Sequence, residues 1–276
     1  MFDMSLLEEA KLLLRRYRIF PKRRLGQNFL VNPAVFQLMA DYALLTKNDV
    51  VLDVGAGLGF LTKFLAEKCR GVLAVELDAR LVKILRERFK LCSNAEIIQG
   101  DIFSAQIPPF NKVVSVPPYG ISSRLLLWLF EKKFECAILV FQEEFAQRLI
   151  APIGSEQYGW LTVITYYNAE VELLNDVPNW MFHPQPKVDS IIVRLKPKIV
   201  PPFLVRDEKL FQKLTRFLFT RRNRRVRKVL QSFVKSAGIS STEKISGMLS
   251  SFVFQDIRVR ELAPEDFGVL ANALAM

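Results

Sequence analysis

At 276 residues, half of them hydrophobic, the chain is long enough for one sizeable domain plus a smaller one and too apolar to be a disordered segment. Lys and Arg exceed Asp and Glu by 39 to 28, for a formal charge of +11. That balance points to a polyanionic partner, nucleic acid before a membrane surface, and no apolar run is long enough to span a bilayer. Three widely spaced cysteines and a single histidine, His183, argue against a disulfide framework and against a metal site, and fit reduced thiols in a cytoplasmic protein.

Residues 5–18 carry the apolar spacing of a short amphipathic helix. Acids within its apolar part, and the lack of a small-residue cleavage site, make it unlike a signal peptide. After the basic link Pro21-Lys22-Arg23-Arg24, Asn32-Pro33 supplies an N-cap and a first-turn proline for a helix running to about residue 45. From Val50 onward buried strands alternate with helices, with strands near 50–54, 71–76, 95–98, 112–116 and 136–141. Such alternation predicts an α/β fold built on a mainly parallel sheet covered on both faces. Segments near 169–174 and 189–195 complete the sheet edge, and the proline-rich run Lys196 to Pro202 marks a boundary. We expect an α/β domain over residues 1–198 and a small, basic, all-helical domain over 199–276.

The most specific stretch is Val51-Leu52-Asp53-Val54-Gly55-Ala56-Gly57-Leu58-Gly59, with Glu76 closing the next strand 21 residues after Gly55. Glycines let the backbone turn tightly and approach a ligand, while an acid at the tip of the second strand can accept from both ribose hydroxyls. The Gly-x-Gly-x-Gly spacing lacks the dinucleotide pattern and leans toward the nucleoside of S-adenosylmethionine (SAM), which has no pyrophosphate to seat on a helix N-terminus. The plain structural alternative is a glycine turn that only packs helix on sheet. Three further stretches fall beyond strand ends. Asp101 can accept from an adenine amine or simply cap the turn behind it. Pro117-Pro118-Tyr119 is a rigid turn presenting an aromatic ring, or an ordinary loop. Gln27-Asn28-Phe29-Leu30 can fold over the ligand as a lid.

Taken in order, Gly26-Gln27-Asn28-Phe29-Leu30, the Gly55 turn, Glu76, Asp101, Pro118-Tyr119 with Ile121-Ser122-Ser123, and Phe141-Gln142-Glu143-Glu144 with Ala146 and Arg148 lead to Phe182-His183-Pro184-Gln185-Pro186-Lys187-Val188-Asp189-Ser190. This series resembles the ribosomal RNA adenine dimethyltransferases, and Arg258-Val259-Arg260-Glu261-Leu262 is similar to that family's closing signature. The resemblance implies a SAM-dependent methyltransferase with a Rossmann-like sheet and a small helical C-terminal domain. It also implies dimethylation of the exocyclic amine of two adjacent adenosines near the 3′ end of small-subunit rRNA, carried out by a cytoplasmic monomer on the pre-ribosomal small subunit. On this resemblance Gln27, Asn28, Leu30, Gly55, Gly57, Glu76, Leu77, Asp101, Ile102 and Val116 surround SAM. Val116, Pro117, Pro118 and Tyr119 form the transfer site, and Phe182 shares the base pocket with Tyr119.

The chain departs from the family at one position. The usual motif is Asn-x-Pro-Tyr, whose asparagine oxygen accepts from the target amine, whereas here the residues are Val116-Pro117-Pro118-Tyr119. Valine accepts nothing, so the Pro117 carbonyl or Ser115 must supply the acceptor, although strand alternation should turn Ser115 to the opposite face. Arg216 to Lys228 holds seven basic residues and no acid among apolar ones. It is either a solvated face or an RNA-facing helix pair in which Arg221, Arg222, Arg224 and Arg225 meet phosphates. Three functional classes stay open: the small-subunit methyltransferase, an assembly factor of the same fold that binds pre-rRNA but methylates poorly, and a large-subunit adenine methylase of the erythromycin-resistance type.

Overall fold

The computed structural model describes residues 4–237 and 256–275. The part of the expected helical domain that falls on 238–255 therefore lies outside the described residues. Two compact units emerge, Met1–Ala146 with Val171–Pro197, and Gln147–Glu170 with Lys198–Met276. One crossing coincides with the boundary expected at 198, while the segment 147–170, placed in the first domain by sequence, groups with the second unit.

In the first unit, α1 (Leu6–Arg16) starts from a capping box in which Ser5 and Glu8 satisfy each other's backbone N–H groups. It ends with Arg15 and Arg16 near its negative pole, and its apolar stripe buries Ala10 and Leu14. Asn32 caps α2 (Pro33–Tyr42) by accepting from the Ala34 N–H at 3.0 Å. The main sheet holds β2 (Val50–Val54), β3 (Gly71–Glu76), β4 (Ala95–Gln99), β5 (Lys112–Ser115), β6 (Cys136–Gln142), β7 (Ala169–Val177) and β9 (Ser190–Pro197) in the order β4-β3-β2-β5-β6-β9-β7. The five strands from β4 to β6 are parallel, and β9 runs antiparallel to β6. Parallel strands covered on both faces must be apolar throughout, and β5 and β6 are buried along almost their whole length. The helices α3 (Phe60–Ala66), α4 (Ala79–Arg88) and α5 (Ser122–Phe130) lie between the strands in chain order.

One feature of this sheet was not legible beforehand. At the end opposite the strand tips, buried Lys112 donates to Asp49 at 3.1 Å and to the Leu44 carbonyl at 2.9 Å. Burial alone would push the Asp49 carboxyl up, but hydrogen bonds from Asn111, Thr46 and Lys112 hold it below its ordinary value. A second, two-stranded sheet pairs β1 (Phe29–Leu30) with β8 (Phe182–His183), placing Phe29 opposite His183 and Leu30 opposite Phe182.

The second unit is helical among its described residues, apart from the first two residues of β7. It contains α7 (Trp160–Asn168), α8 (Glu208–Phe219), α9 (Val226–Ala237) and α10 (Pro264–Leu274), with the tail of α6 (Glu143–Leu149). Phe211, Leu214 and Leu218 form the buried stripe of α8. Tyr158 is fully buried, donates its hydroxyl to the Leu262 carbonyl at 2.8 Å and meets the Phe219 ring edge-on, while Phe219 stacks on Phe267. Among the described residues no helix is long and apolar enough to cross a membrane, and no group of His, Cys, Asp and Glu is arranged to hold a metal.

Candidate active site

Strand order reverses between β2 and β5, and at such a reversal the loops diverge and leave a crevice beyond the carboxyl ends of the strands. A cleft of about 240 Å³ opens there. Its floor is the turn after β2, where the N–H groups of Gly55 and Ala56 both donate to the Val75 carbonyl. Gly55 sits at φ +79°, and a Cβ there would lie 2.8 Å from Pro118 Cδ. Gly57 sits at φ +59°, and its Cβ would lie 2.9 Å from the Phe29 ring. Both positions thus exclude side chains by backbone conformation and by crowding.

Glu76 closes β3 and is only 8% exposed. One carboxylate oxygen accepts from the Gly57 N–H at 2.9 Å and the other from the Asp78 N–H at 2.8 Å. Burial raises its pKa while these two N–H groups oppose the rise. The acid is therefore held in one orientation, and each oxygen keeps a further acceptor site in the cleft. Behind it Asp53 accepts from the Thr62 hydroxyl at 2.7 Å, and complete burial, reinforced by the charge of Glu76, pushes its pKa up to about 7.

The rest of the cleft combines expected and unexpected groups. Leu77 and buried Ile102 line it as apolar walls. Asp101 lines it too, and one of its oxygens accepts from the Phe103 N–H at 3.1 Å, so the turn-capping role is also present. The guanidinium of Arg124 lies 3.8 Å over the Phe103 ring and 3.9 Å from Asp101. Neither Phe103 nor Arg124 was foreseen, because their meeting depends on helix α5 returning beside the loop after β4. Gln27 lines the cleft but its amide is already engaged, accepting from the Lys22 N–H at 2.7 Å and donating to Asp78 at 3.0 Å. Its role is to fasten the segment before β1 to the start of α4. Arg80 hydrogen-bonds Asp78 as well and holds that carboxyl far below the usual range. Asn28 lines the cleft, whereas Leu30 lines a smaller neighbouring cavity with Phe29, Gly57 and Val116. Of the segment 27–30, Phe29 and Leu30 form β1 and are held by β8.

Of the expected transfer-site residues, Val116 and Pro118 line this crevice, and Pro117, Tyr119 and Phe182 do not. Val116 lines both cavities, and Pro118 presses on Gly55 and Gly26. Pro117 is buried behind them and outside the cleft lining. The Tyr119 hydroxyl meets that of Ser190 at 2.7 Å, burial raises its pKa, and its ring lies 6.5 Å edge-on from buried Phe182. Ser115 is turned away as alternation requires, accepting from the Val54 N–H at 3.0 Å and donating to the Val54 carbonyl at 2.7 Å. His183 is half-buried and its pKa is lowered by that burial, so it is a neutral member of the small sheet at neutral pH.

In the second unit Arg221, Arg224 and Arg225 are exposed in the turn between α8 and α9. Arg225 pairs with Asp256 at 3.6 Å and Arg221 donates to the Ser232 hydroxyl at 3.0 Å. Arg222 departs from the expectation. Its guanidinium donates to the carbonyls of Ser155 at 2.6 Å and Glu156 at 2.7 Å and acts as a staple.

A glycine turn, a strand-tip acid and an apolar wall at a strand-order reversal define a nucleoside site, and with the seven-stranded sheet they mark the fold and cofactor of SAM-dependent methyltransferases. The pattern of the family described as "Ribosomal RNA adenine dimethylase" matches residues 21–275. A protein of Pyrococcus abyssi described as a probable ribosomal RNA small subunit methyltransferase A is 39% identical over 255 residues, 92% of each chain. One of the same description from Methanosarcina acetivorans is 38% identical over 248 residues, 90% of this chain and 91% of its own. The crystal structure of a dimethyladenosine transferase from Plasmodium falciparum matches with a TM-score of 0.74 at 26% identity, covering 88% of this chain and 95% of its own. The 23S rRNA methyltransferase ErmE matches with a TM-score of 0.63 at 29% identity, over 90% and 100%. The chain belongs to the ribosomal RNA adenine dimethylase family.

Proposed function

We propose that this chain transfers methyl groups from SAM to the exocyclic amine of adjacent adenosines near the 3′ end of small-subunit rRNA, as a cytoplasmic monomer acting on the pre-ribosomal small subunit. The observation that carries the reading is the convergence of Gly55, Gly57 and Glu76 with Val116 and Pro118 on one crevice. The cradle fits a nucleoside. Glu76 offers two oriented oxygens to a ribose diol, the glycine turn admits close approach, and Leu77 and Ile102 flank the space beside Asp101.

SAM, when bound, supplies an electrophilic methyl group on a sulfonium. The work of this chain's own residues is to hold an adenine out of its stack against Tyr119 and Phe182, and to draw its amine nitrogen toward tetrahedral geometry with a hydrogen-bond acceptor. Val116 offers none and the Ser115 hydroxyl is occupied by Val54. The Pro118 carbonyl already accepts from the Ile121 N–H at 3.1 Å. We assign the role to the Pro117 carbonyl, which takes no hydrogen bond among the described residues. The proton leaves to water, since the methylated amine is acidic and His183 belongs to the β1–β8 pair.

The test is incubation of the purified chain with isotopically labelled SAM and unmethylated small subunits, followed by mass spectrometry of the digested rRNA. Labelled N6-methylated adenosine is expected. A chain that binds pre-rRNA and transfers nothing would establish the second reading, an assembly factor, which the missing side-chain acceptor at Val116 favours.

A further inference from the structure

Two residues before Phe182, Trp180 is 64% exposed. The other two tryptophans are engaged by the fold, Trp128 stacked on Phe110 and Trp160 beneath the guanidinium of Arg216 at 4.4 Å. Trp180 has no ring or cation contact among the described residues, although it sits on one of the most firmly held turns of the first unit. The Asn179 N–H donates to Asp189 at 2.8 Å, and Gln185 donates to the Asn179 side chain at 2.7 Å. The Met181 N–H donates to the Pro178 carbonyl at 3.0 Å, and the Val31 N–H donates to the Met181 carbonyl at 2.9 Å. A large apolar ring left in water gains nothing in the free protein, and a backbone turn already fixed loses little further entropy on binding.

The position gives the ring its partner. Two residues on, Phe182 enters β8 and meets Tyr119. An adenine taken out of its stack leaves its neighbour with one bare face, and an aromatic side chain at the mouth of the pocket can cover it. The same loop exposes Lys187, a cation for the adjoining phosphate. We propose that Trp180 is a stacking platform for the unpaired nucleobase next to the target adenosine, and so a positioning residue for the strand that enters the site. This rests on the reading of the chain as an RNA adenine methyltransferase and adds a contact outside the catalytic pocket.

The experiment uses the full chain and two short RNAs, hexaadenylate and the same strand with a single adenine flanked by abasic nucleotides. Affinities are measured for the wild type, Trp180→Phe and Trp180→Ala, each checked by thermal melting to be folded. Stacking of one base predicts that the wild type prefers hexaadenylate by about fivefold or more. That preference should collapse toward unity in Trp180→Ala and persist in Trp180→Phe. Tryptophan fluorescence quenched by hexaadenylate in the wild type should lose that quenching in Trp180→Phe, because Trp128 and Trp160 are half-buried and already engaged by Phe110 and Arg216. If the wild type binds neither RNA, the RNA reading itself fails and this inference with it. If it binds and the preference is absent, or survives unchanged in Trp180→Ala, the platform alone is refuted and the exposed ring serves another partner, such as a protein.

Discussion

Replacing Val116 by asparagine restores the Asn-x-Pro-Tyr pattern of the family that this stretch of the sequence resembles. Val116 follows β5 and lines the cleft, so a side chain there has access to the reacting amine. Valine and asparagine are similar in volume, and the exchange adds an acceptor without overpacking the half-buried site. The neighbouring Ser115 does not do the job, because its hydroxyl is fully buried on the opposite face of the strand, bonded to Val54 at 2.7 and 3.0 Å. One hydrogen bond aimed at a transition state is worth on the order of 3 kcal/mol, a few hundredfold in rate. A backbone carbonyl acting from Pro117 recovers part of that, leaving tenfold or more to be gained. The gain belongs in the chemical step, since the interaction strengthens only as the nitrogen becomes tetrahedral. Single-turnover methyl transfer at saturating SAM should therefore rise by about tenfold or more, while calorimetric SAM affinity changes far less. If wild-type transfer is already fast and the variant is no faster, another group accepts from the amine and the description of a missing acceptor is wrong.

Four other perturbations probe the rest of the molecule. Glu76→Ala removes both oriented oxygens, and calorimetric titration should show SAM affinity lower by roughly tenfold or more, whereas unchanged affinity would move the ribose elsewhere. Neutralising Arg221, Arg224 and Arg225 together should weaken binding to structured small-subunit RNA and flatten its dependence on salt. Arg222→Gln should instead lower the melting temperature of the unit whose carbonyls it holds, and equal salt slopes for the triple variant and wild type would refute the phosphate contacts. Asp53, raised by burial from 3.8 to about 7, binds a proton in the folded state that it releases when unfolded, so stability falls as pH rises between those values and levels off above them. That gap corresponds to on the order of 4 kcal/mol. Melting curves of Asp53→Asn from about pH 4 to about pH 8 should show a flatter decline. Glu76, also raised, leaves a smaller slope of the same sign, and an unchanged slope in the variant would show that Asp53 is not the titrating group.

The main sheet was legible because each of its strands is local. Parallel strands buried on both faces are short continuous apolar runs, and 50–54 and 71–76 appear in the chain where the letters place them. The glycine turn was equally plain, since positive φ and contact with Pro118 leave no other residue type at position 55. The roles of single polar residues were less so. Arg222 and Arg224 are indistinguishable in sequence, and only the return of the 155–156 carbonyls decides that Arg222 is a staple while Arg224 stays exposed.

Sequence alone therefore determined the strands, the nucleoside cradle and the family, because each rests on short local motifs recurring in a fixed order along the chain. Tertiary structure decided that Phe29 and Leu30 pair with Phe182 and His183, that Lys112 is buried against Asp49, and that Trp180 is exposed two residues before Phe182. Hydrogen bonds and burial between distant segments leave no periodic trace in either segment, and become visible only when the chain has brought them together.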